Sequence, residues 1–253
     1  MPEAIDVEND EPVPHSVPVS IFLHLVPGAA MTLSHVAIIG YVVSAGLPSI
    51  VSWAVLVNVF VFYPIMFGIL FFVARRRGNK GFSLEGVVTY RATLAIWKQL
   101  GWTLVVLVAT GLIFLLLAPV TEWMQTFFEW MPPTDEGYDG DFPTSVIAIT
   151  FALNVVFTGI ATPISEELYY RGYLLPRMPV AFGTAGPVVH SFLFAVHHFH
   201  SPWMIVTRTI GLLPMIYVTR YTKSLVPAVI SHSLVNIYSM FEGAAARWGD
   251  EQA

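Results

Sequence analysis

Residues 144–171 read TSVIAITFALNVVFTGIATPISEELYYR, an apolar run that ends in two adjacent glutamates and, four residues after the second, an arginine. A run of about 20 apolar residues has the length of a helix that crosses a bilayer. Ionisable side chains beside such a helix are energetically expensive, so by default they mark a functional site. The stretch therefore predicts a membrane protein with a site at Glu166, Glu167 and Arg171.

The composition of the whole chain supports the same class. Hydrophobic residues make up 55% of the 253 and charged residues 11%, and the mean hydropathy is +0.67; a soluble domain carries about 25% charged residues. No basic patch favours nucleic-acid binding. The chain has no cysteine, which excludes disulfides, thiolate metal ligands and a cysteine nucleophile. Any catalysis has to use carboxylate, imidazole, hydroxyl or amide groups.

Seven apolar stretches predict the fold class, an all-α polytopic transmembrane helical bundle of about seven spans around an intramembrane polar cavity. We expect a single transmembrane domain at 17–242 whose catalytic core is 144–242. A disordered acidic tail is expected at 1–16 and a C-terminal tail at 243–253. An interfacial helix is expected at 82–95. The seven stretches are residues 17–45, 49–73, 97–119, 144–163, 183–200, 203–219 and 225–241.

Lysine and arginine predict the orientation. The segment between the second and third spans is basic, whereas the loop at about 120–143 carries acidic residues and no basic one. The positive-inside rule places the basic segment, and with it the N-terminus, in the cytoplasm. We therefore expect an integral protein of the cell membrane. The basic residues are Arg75, Arg76, Arg77, Lys80, Arg91 and Lys98.

Two further polar groups interrupt later apolar stretches: FAVHH, which ends at His198, and HSLVN, which runs from His232 to Asn236. With a rise of 1.5 Å per residue, Glu166 and His198 lie roughly 22 and 25 Å from the chain reversal between them. By the same arithmetic His232 and Asn236 lie roughly 15 and 21 Å from the reversal that precedes them. The four side chains can therefore meet in one layer of the membrane.

The residue types indicate hydrolysis by an activated water. A glutamate partly withdrawn from water, assisted by an imidazole, can take a proton from water, and Glu166 and His198 fit that pair. His232 and Asn236 are four residues apart on one helical face, and both can donate hydrogen bonds to an oxygen that becomes negative. The combination describes the hydrolysis of an acyl bond, best a peptide bond, inside a membrane.

Two neighbouring features of the first motif are expected to be structural. Glu167 and Arg171 lie four residues apart with the acid first, the order that favours an ion pair on a helix. This pair is expected to hold the helix and to influence Glu166. Pro163 lacks a backbone donor and is expected to disturb the helix just before the carboxylates, which is tolerated where the backbone lines a cavity.

The three motifs resemble those of a known family. Glu-Glu-x-x-x-Arg at 166–171, Phe-x-x-x-His at 194–198 and His-x-x-x-Asn at 232–236 occur in this order on successive membrane segments. The arrangement is similar to that of the CPBP family, the CAAX-processing and bacteriocin-processing (Abi-type) intramembrane proteases. The resemblance covers about residues 145–242.

The resemblance implies an endopeptidase of the type II CAAX prenyl protease kind. In such an enzyme Glu166 and His198 would activate water, while His232 and Asn236 would support the oxyanion. Its partners would be the lipid bilayer and a peptide or lipidated protein substrate, with no nucleic acid. One departure from the pattern is the extra histidine directly before the motif histidine, His197.

A divalent metal is the open question about cofactors. Glu166, His198 and His232 could supply three ligands and leave a position for water, as catalytic zinc sites do, and the family is commonly labelled as metalloproteases. However, the chain has no His-Glu-x-x-His sequence, and the first motif puts the cation of Arg171 beside a proposed ligand. We favour catalysis by glutamate without a cofactor, with zinc as the alternative.

Two other classes of function fit parts of the pattern. A catalytically inactive scaffold or immunity-type protein could share the fold, although intact motifs argue against it. A proton-coupled transporter could place the same groups at mid-depth, but it predicts inverted repeats that the sequence lacks. Outside the motifs, we expect His190, His197 and His200 to pack rather than to bind ligands, and Arg208 to extend to the outer surface.

Overall fold

The computed structural model of the chain describes residues 12–131, 138 and 141–250, with the side chains of the last helix described up to Phe241. Most of the expected acidic tail, part of the acidic loop and the last three residues therefore lie outside the described residues. The helices, in chain order, are α1 (Val17–Ser44), α2 (Ser52–Arg76), α3 (Ile96–Phe128), α4 (Thr144–Arg177), α5 (Val180–Val196), α6 (Ile205–Gly211), α7 (Leu213–Thr222) and α8 (Val226–Asp250).

In the part of the chain that the structure describes, four helices, α1 to α4, are long and apolar enough to cross a bilayer, with 28, 25, 33 and 34 residues. Helix α5 and the stretch Val226–Phe241 of α8 are shorter apolar helices. The expected span 203–219 is divided between α6 and α7, and Pro214, which lacks a backbone donor, lies in the first turn of α7. The prediction of a helical membrane bundle is confirmed, and the count of seven spans stays a prediction.

Helix α1 continues through Pro27, which lies inside it. Because proline has no N–H, the carbonyl of Leu23 loses its helical donor. The hydroxyl of Tyr169 in α4 donates to that carbonyl at 2.8 Å, and the hydroxyl of Tyr170 donates to the carbonyl of His24 at 3.1 Å. Both tyrosines are buried. They fasten α1 to α4 at the point where proline weakens α1.

Helix α4 adapts to Pro163 by a change in its hydrogen-bond register. In the turn Val155–Ala161 the backbone bonds reach five residues back, so the N–H of Thr162 donates to the carbonyl of Phe157. In this register the carbonyl of Thr158 would accept a hydrogen bond from the N–H of residue 163, but residue 163 is a proline and has no N–H. The side chain of Asn236 in α8 donates to it instead, at 3.1 Å.

Segment 82–95 is not a helix, so that prediction was wrong. It forms turns and extended backbone, and Tyr90 has φ 58°, which a helix does not allow. The N–H of Thr89 donates to the carbonyl of Gly172 in α4, and the carbonyl of Tyr90 accepts from Leu225 just before α8. These backbone partners are distant in sequence, which is why local pattern did not reveal them.

Aromatic side chains surround the buried polar layer at the centre of the bundle. The ring of Phe62 in α2 lies parallel to the imidazole of His197, with the ring centres 6.3 Å apart. The ring of Tyr170 in α4 meets the edge of Phe194 in α5 at 4.8 Å. All four side chains are buried. The polar groups therefore lie among apolar walls, where electrostatic contacts are stronger than in water.

Candidate active site

Three segments bring a carboxylate between two imidazoles. Glu166 lies in α4, His197 directly follows the end of α5, and His232 lies in α8. One carboxylate oxygen of Glu166, Oε1, is 3.4 Å from Nε2 of His197. The other, Oε2, is 3.6 Å from Nε2 of His232. The first and third motifs therefore meet at Glu166. This residue is buried, with 3% of its surface exposed.

The second carboxylate belongs to a separate buried network. Nδ1 of His232 donates to Oε1 of Glu167 at 2.9 Å, and Nη1 of Arg171 lies 3.2 Å from the same oxygen. The ion pair expected from the spacing of Glu167 and Arg171 is thus present, with both side chains fully buried. The guanidinium also lies 3.9 Å over the ring of Phe194, so this network joins α4, α5 and α8.

His197 and His198 are oriented by one backbone carbonyl. Nδ1 of each ring lies within hydrogen-bonding distance of the carbonyl oxygen of Phe194, at 2.5 Å for His197 and 2.9 Å for His198. A carbonyl oxygen only accepts, so each Nδ1 carries the hydrogen and each Nε2 is left for other contacts. His197 is fully buried, whereas His198 is partly exposed.

Asn236 lies one turn after His232 in α8 and is partly exposed. Its amide nitrogen donates to the carbonyl of Thr158, and the hydroxyl of Thr158 accepts from Asn58 in α2 at 3.2 Å. The amide of Asn236 has a second N–H. The structure therefore joins Asn236 to α4 by its contact with Thr158, and leaves one donor of its amide for a further partner.

Gly28 in α1 allows the close approach of α1 to the turn that carries the two histidines. A Cβ atom at this position would overlap the carbonyl oxygen of His197. The sequence revealed Gly28 only as an interruption of an apolar stretch, because its contact with His197 is made across the bundle.

Replacing Gly28 by alanine is therefore expected to displace the histidine turn. A misplacement of about 1 Å in an active site can lower the rate roughly 10²-fold, and we expect a loss of that size in the hydrolysis proposed below. The matched control is Gly40→Ala in the same helix, where a Cβ meets nothing within 4 Å. Equal rates for the two variants, measured on purified folded protein, would show that this contact does not position the site.

The remaining polar residues near the site tie helices together. Nε2 of His24 in α1 and Nδ1 of His190 in α5 are 2.9 Å apart, and the ring of His200 packs on Trp53 at 4.4 Å. Arg208, expected to extend to the outer surface, donates instead to the hydroxyl of Ser201 at 2.6 Å. It thereby holds the turn that follows His198.

The chemistry of the donor set fits a divalent metal ion. Within the described residues, ligand atoms of Glu166, His197 and His198 lie within 4.8 Å of one another, and Nε2 of His197 is buried without a hydrogen-bond partner. Histidines that bind metal commonly donate their other ring nitrogen to a carbonyl, as both do here. His232, named as the third ligand from the sequence, is not in this group; its Nδ1 is bonded to Glu167.

A cavity of about 450 Å³ lies between segment 82–93 and the start of α8, and Glu166, His197, His198 and His232 do not line it. Leu168, which directly follows the two glutamates, contributes to its wall together with Val88 and Leu225, and Arg91 is its basic residue. The cavity has the size of a small-molecule site. It provides space for a ligand on the side of the bundle where the basic segment lies.

Comparison with known proteins matches the part of the chain that builds the site. Residues 148–238 match the family model described as Type II CAAX prenyl endopeptidase Rce1-like. No curated protein and no solved structure matches the chain. The matched residues contain all three motifs and the contacts among Glu166, His197 and His232. The match agrees with the family predicted from the motifs: segment 148–238 is similar to the Rce1-like type II CAAX prenyl endopeptidases, a family of membrane proteases.

Proposed function

We propose that the protein is an intramembrane endopeptidase that hydrolyses a peptide bond of a membrane-associated substrate by means of an activated water. The observation that carries the proposal is the buried carboxylate of Glu166 between His197 and His232, within a segment that matches a protease family. A buried acid between two imidazoles can exchange a proton with water.

In the proposed reaction Glu166 and His198 activate the water. Nδ1 of His198 donates to the carbonyl of Phe194, which orients the ring and leaves its Nε2 as an acceptor. The carboxylate of Glu166 is the second acceptor in reach of the same space. Water held between them loses a proton to one of these groups while its oxygen attacks the carbonyl carbon of the substrate. The proton then passes to the leaving nitrogen.

Stabilisation of the oxyanion is assigned to His232 and Asn236. Nδ1 of His232 donates to Glu167 and its Nε2 lies 3.6 Å from Oε2 of Glu166, so Nε2 donates to the oxyanion in the imidazolium form, which carries a hydrogen on both ring nitrogens. The free N–H of the Asn236 amide is the second donor. Donors fixed before the reaction stabilise a developing negative charge without reorganisation.

Replacing Asn236 by alanine is expected to slow turnover by about 10²–10³-fold, the usual cost of losing one oxyanion donor, while the Michaelis constant changes little. Because Asn236 also donates a hydrogen bond to the carbonyl of Thr158, the variant needs a control for the loss of this structural contact. Asn58→Ala removes the other side-chain contact of Thr158 and is expected to keep most of the activity. A raised Michaelis constant with normal turnover in Asn236→Ala would make Asn236 a substrate contact.

We propose that this reaction uses no metal ion. An ion held by Glu166, His197 and His198 would polarise the substrate carbonyl. However, a carboxylate that ligates a metal is not free to act as the base. Glu167, the other carboxylate near the site, is held by Arg171 and His232. With Glu166 as a ligand, the described site would have no carboxylate left to accept the proton.

We propose that the N-terminus and the basic segment 75–98 face the cytoplasm. The support is the distribution of arginine and lysine. Because the chain has no cysteine, single cysteines introduced at the exposed residues Ser83 and Glu129 can be labelled selectively in cells. Protection of position 83 and labelling of position 129 from outside is the expected result, and the reverse pattern would invert the orientation.

As substrates we propose lipid-modified peptides of the CAAX type, since the matched family is named for them and the side chains of Leu168, Val88 and Leu225 offer apolar contacts in the wall of the cavity. The test compares kcat/KM for a farnesylated peptide and for the same peptide without the lipid, in liposomes that contain the purified protein. A large preference for the farnesylated peptide supports the assignment. Equal values, or faster cleavage of the unmodified peptide, would point to another membrane peptide.

A further inference from the structure

Glu166 and His197 face each other without a hydrogen bond between them. Nδ1 of His197 donates to the carbonyl of Phe194, so Nε2 of the neutral ring carries a lone pair. This lone pair faces Oε1 of Glu166 at 3.4 Å, and it is buried without a hydrogen-bond partner. A buried polar atom without a partner is costly. Two acceptors that face each other in this way are stabilised when a cation, either a proton or a metal ion, lies between them.

A third ligand atom lies within reach of the same ion. Nε2 of His198 is the free nitrogen of that ring, and the ligand atoms of Glu166, His197 and His198 are all within 4.8 Å of one another. In a tetrahedral zinc site with bonds of about 2.0–2.1 Å, the ligand atoms are about 3.3–3.4 Å apart. Oε1 of Glu166 and Nε2 of His197 are already this far apart, at 3.4 Å. Only the partly exposed ring of His198 would have to move to bring its Nε2 to the same distance.

The cation nearest to the first motif does not occupy this position. The guanidinium of Arg171 pairs with Glu167 and lies over the ring of Phe194. The carbonyl of Phe194 meanwhile fixes both histidine rings with their Nε2 atoms directed away from it. Such second contacts hold metal-binding histidines in place.

We propose that Glu166, His197 and His198 bind one divalent transition-metal ion of the zinc type, and that this ion inhibits the enzyme. The inhibition rests on the proposed function, because the ion would bind the carboxylate and the imidazole nitrogen that are assigned to activate water. The binding itself is independent of that assignment. His197, the residue in excess of the family motif, supplies the third ligand and gives this chain a site that two ligands alone would not form.

The test begins with binding of Zn²⁺ to the chelator-treated, desalted protein, measured by titration calorimetry and by metal analysis after gel filtration. One ion per chain is expected. His197→Ala is expected to bind at least roughly 10²-fold more weakly, because losing a ligand costs no less than losing a residue that only orients one, for which the loss reaches about 10–100-fold. The matched control is His200→Ala, a neighbouring histidine whose ring centre lies 5.6 Å from that of His198; its affinity should equal that of the wild type. His197→Gln provides a second variant in case alanine disturbs the turn.

Two further readouts complete the experiment. Co²⁺ bound in place of Zn²⁺ is expected to give the visible absorption of a tetrahedral site with nitrogen and oxygen ligands, and to lose it in His197→Ala. Hydrolysis by the wild type is expected to fall as Zn²⁺ fills the site, whereas His197→Ala, compared with its own metal-free rate, needs much more Zn²⁺ for the same inhibition.

Each contrary outcome overturns a defined part of the proposal. Absence of a stoichiometric ion in the wild type rejects the site, even if hydrolysis is observed. Loss of binding in His232→Ala with normal binding in His197→Ala transfers the site to Glu166, His198 and His232. Activity that rises with Zn²⁺ rejects the inhibitory role and the metal-free reaction together. Binding of the expected strength in a protein without detectable hydrolysis keeps the metal site and rejects the proposed function alone.

Discussion

Replacing Glu166 by glutamine is expected to abolish peptide hydrolysis and to leave the protein folded. The amide has the shape of the carboxylate and fits the same space between His197 and His232, but it cannot take a proton from water. Loss of a general base costs about 10²–10⁴-fold in rate. The measurement is the initial rate of cleavage of a membrane peptide by the purified variant, together with its thermal midpoint in the same detergent.

The control for this substitution is Glu85→Gln, which makes the same chemical change at an exposed position of segment 82–95. We expect this variant to match the wild type in both measurements. Full activity in Glu166→Gln would remove Glu166 as the base. If Glu166→Gln were inactive only because its thermal midpoint collapsed, the carboxylate would be needed for the bundle and not for the chemistry.

Replacing His198 by alanine is expected to have an effect of similar size, about 10²–10⁴-fold. Its Nε2 is the available acceptor of the partly exposed ring that borders the site. His197→Ala is expected to retain far more activity, with a loss of about tenfold or less. Its Nε2 faces Oε1 of Glu166 at 3.4 Å without a hydrogen bond, so the base loses at most one weak polar contact, worth about 1 kcal/mol or less.

The comparison of the two histidines has to be made without bound metal, because Zn²⁺ at the site would lower the rate of the wild type more than that of His197→Ala. Rates of all three proteins are therefore measured after chelation and desalting. An inactive His197→Ala beside an active His198→Ala would mean that the buried imidazole, and not the motif histidine, works with Glu166.

Much of the fold and of the site could be predicted from the sequence, because the relevant signals are local. A run of apolar residues as long as 97–119 has few outcomes other than a membrane helix, and α3 covers it. The four-residue spacing of Glu167 and Arg171 predicts their ion pair, which is present. The rise per residue also predicted that Glu166 and His232 could meet in one layer of the membrane, and their side chains are 3.6 Å apart.

The rest depends on contacts between helices, which sequence spacing does not specify. A Cβ atom at Gly28 in α1 would overlap His197, which directly follows α5. The carbonyl of Thr158 loses its donor to Pro163, and its replacement comes from α8. Likewise, motif spacing distinguishes His198 from His197. Only the structure shows that a ring nitrogen of each histidine lies within 4.8 Å of the carboxylate of Glu166.

Whether Glu166 drives peptide hydrolysis is tested most directly by mass spectrometry of a farnesylated peptide after incubation with liposomes that contain either the wild type or Glu166→Gln. The wild type is expected to produce two fragments whose masses add up to the peptide plus one water, from cleavage at one internal peptide bond. Glu166→Gln, at equal protein and with an intact fold, is expected to leave the peptide whole. The same fragments at the same rate from both proteins would contradict this role of Glu166.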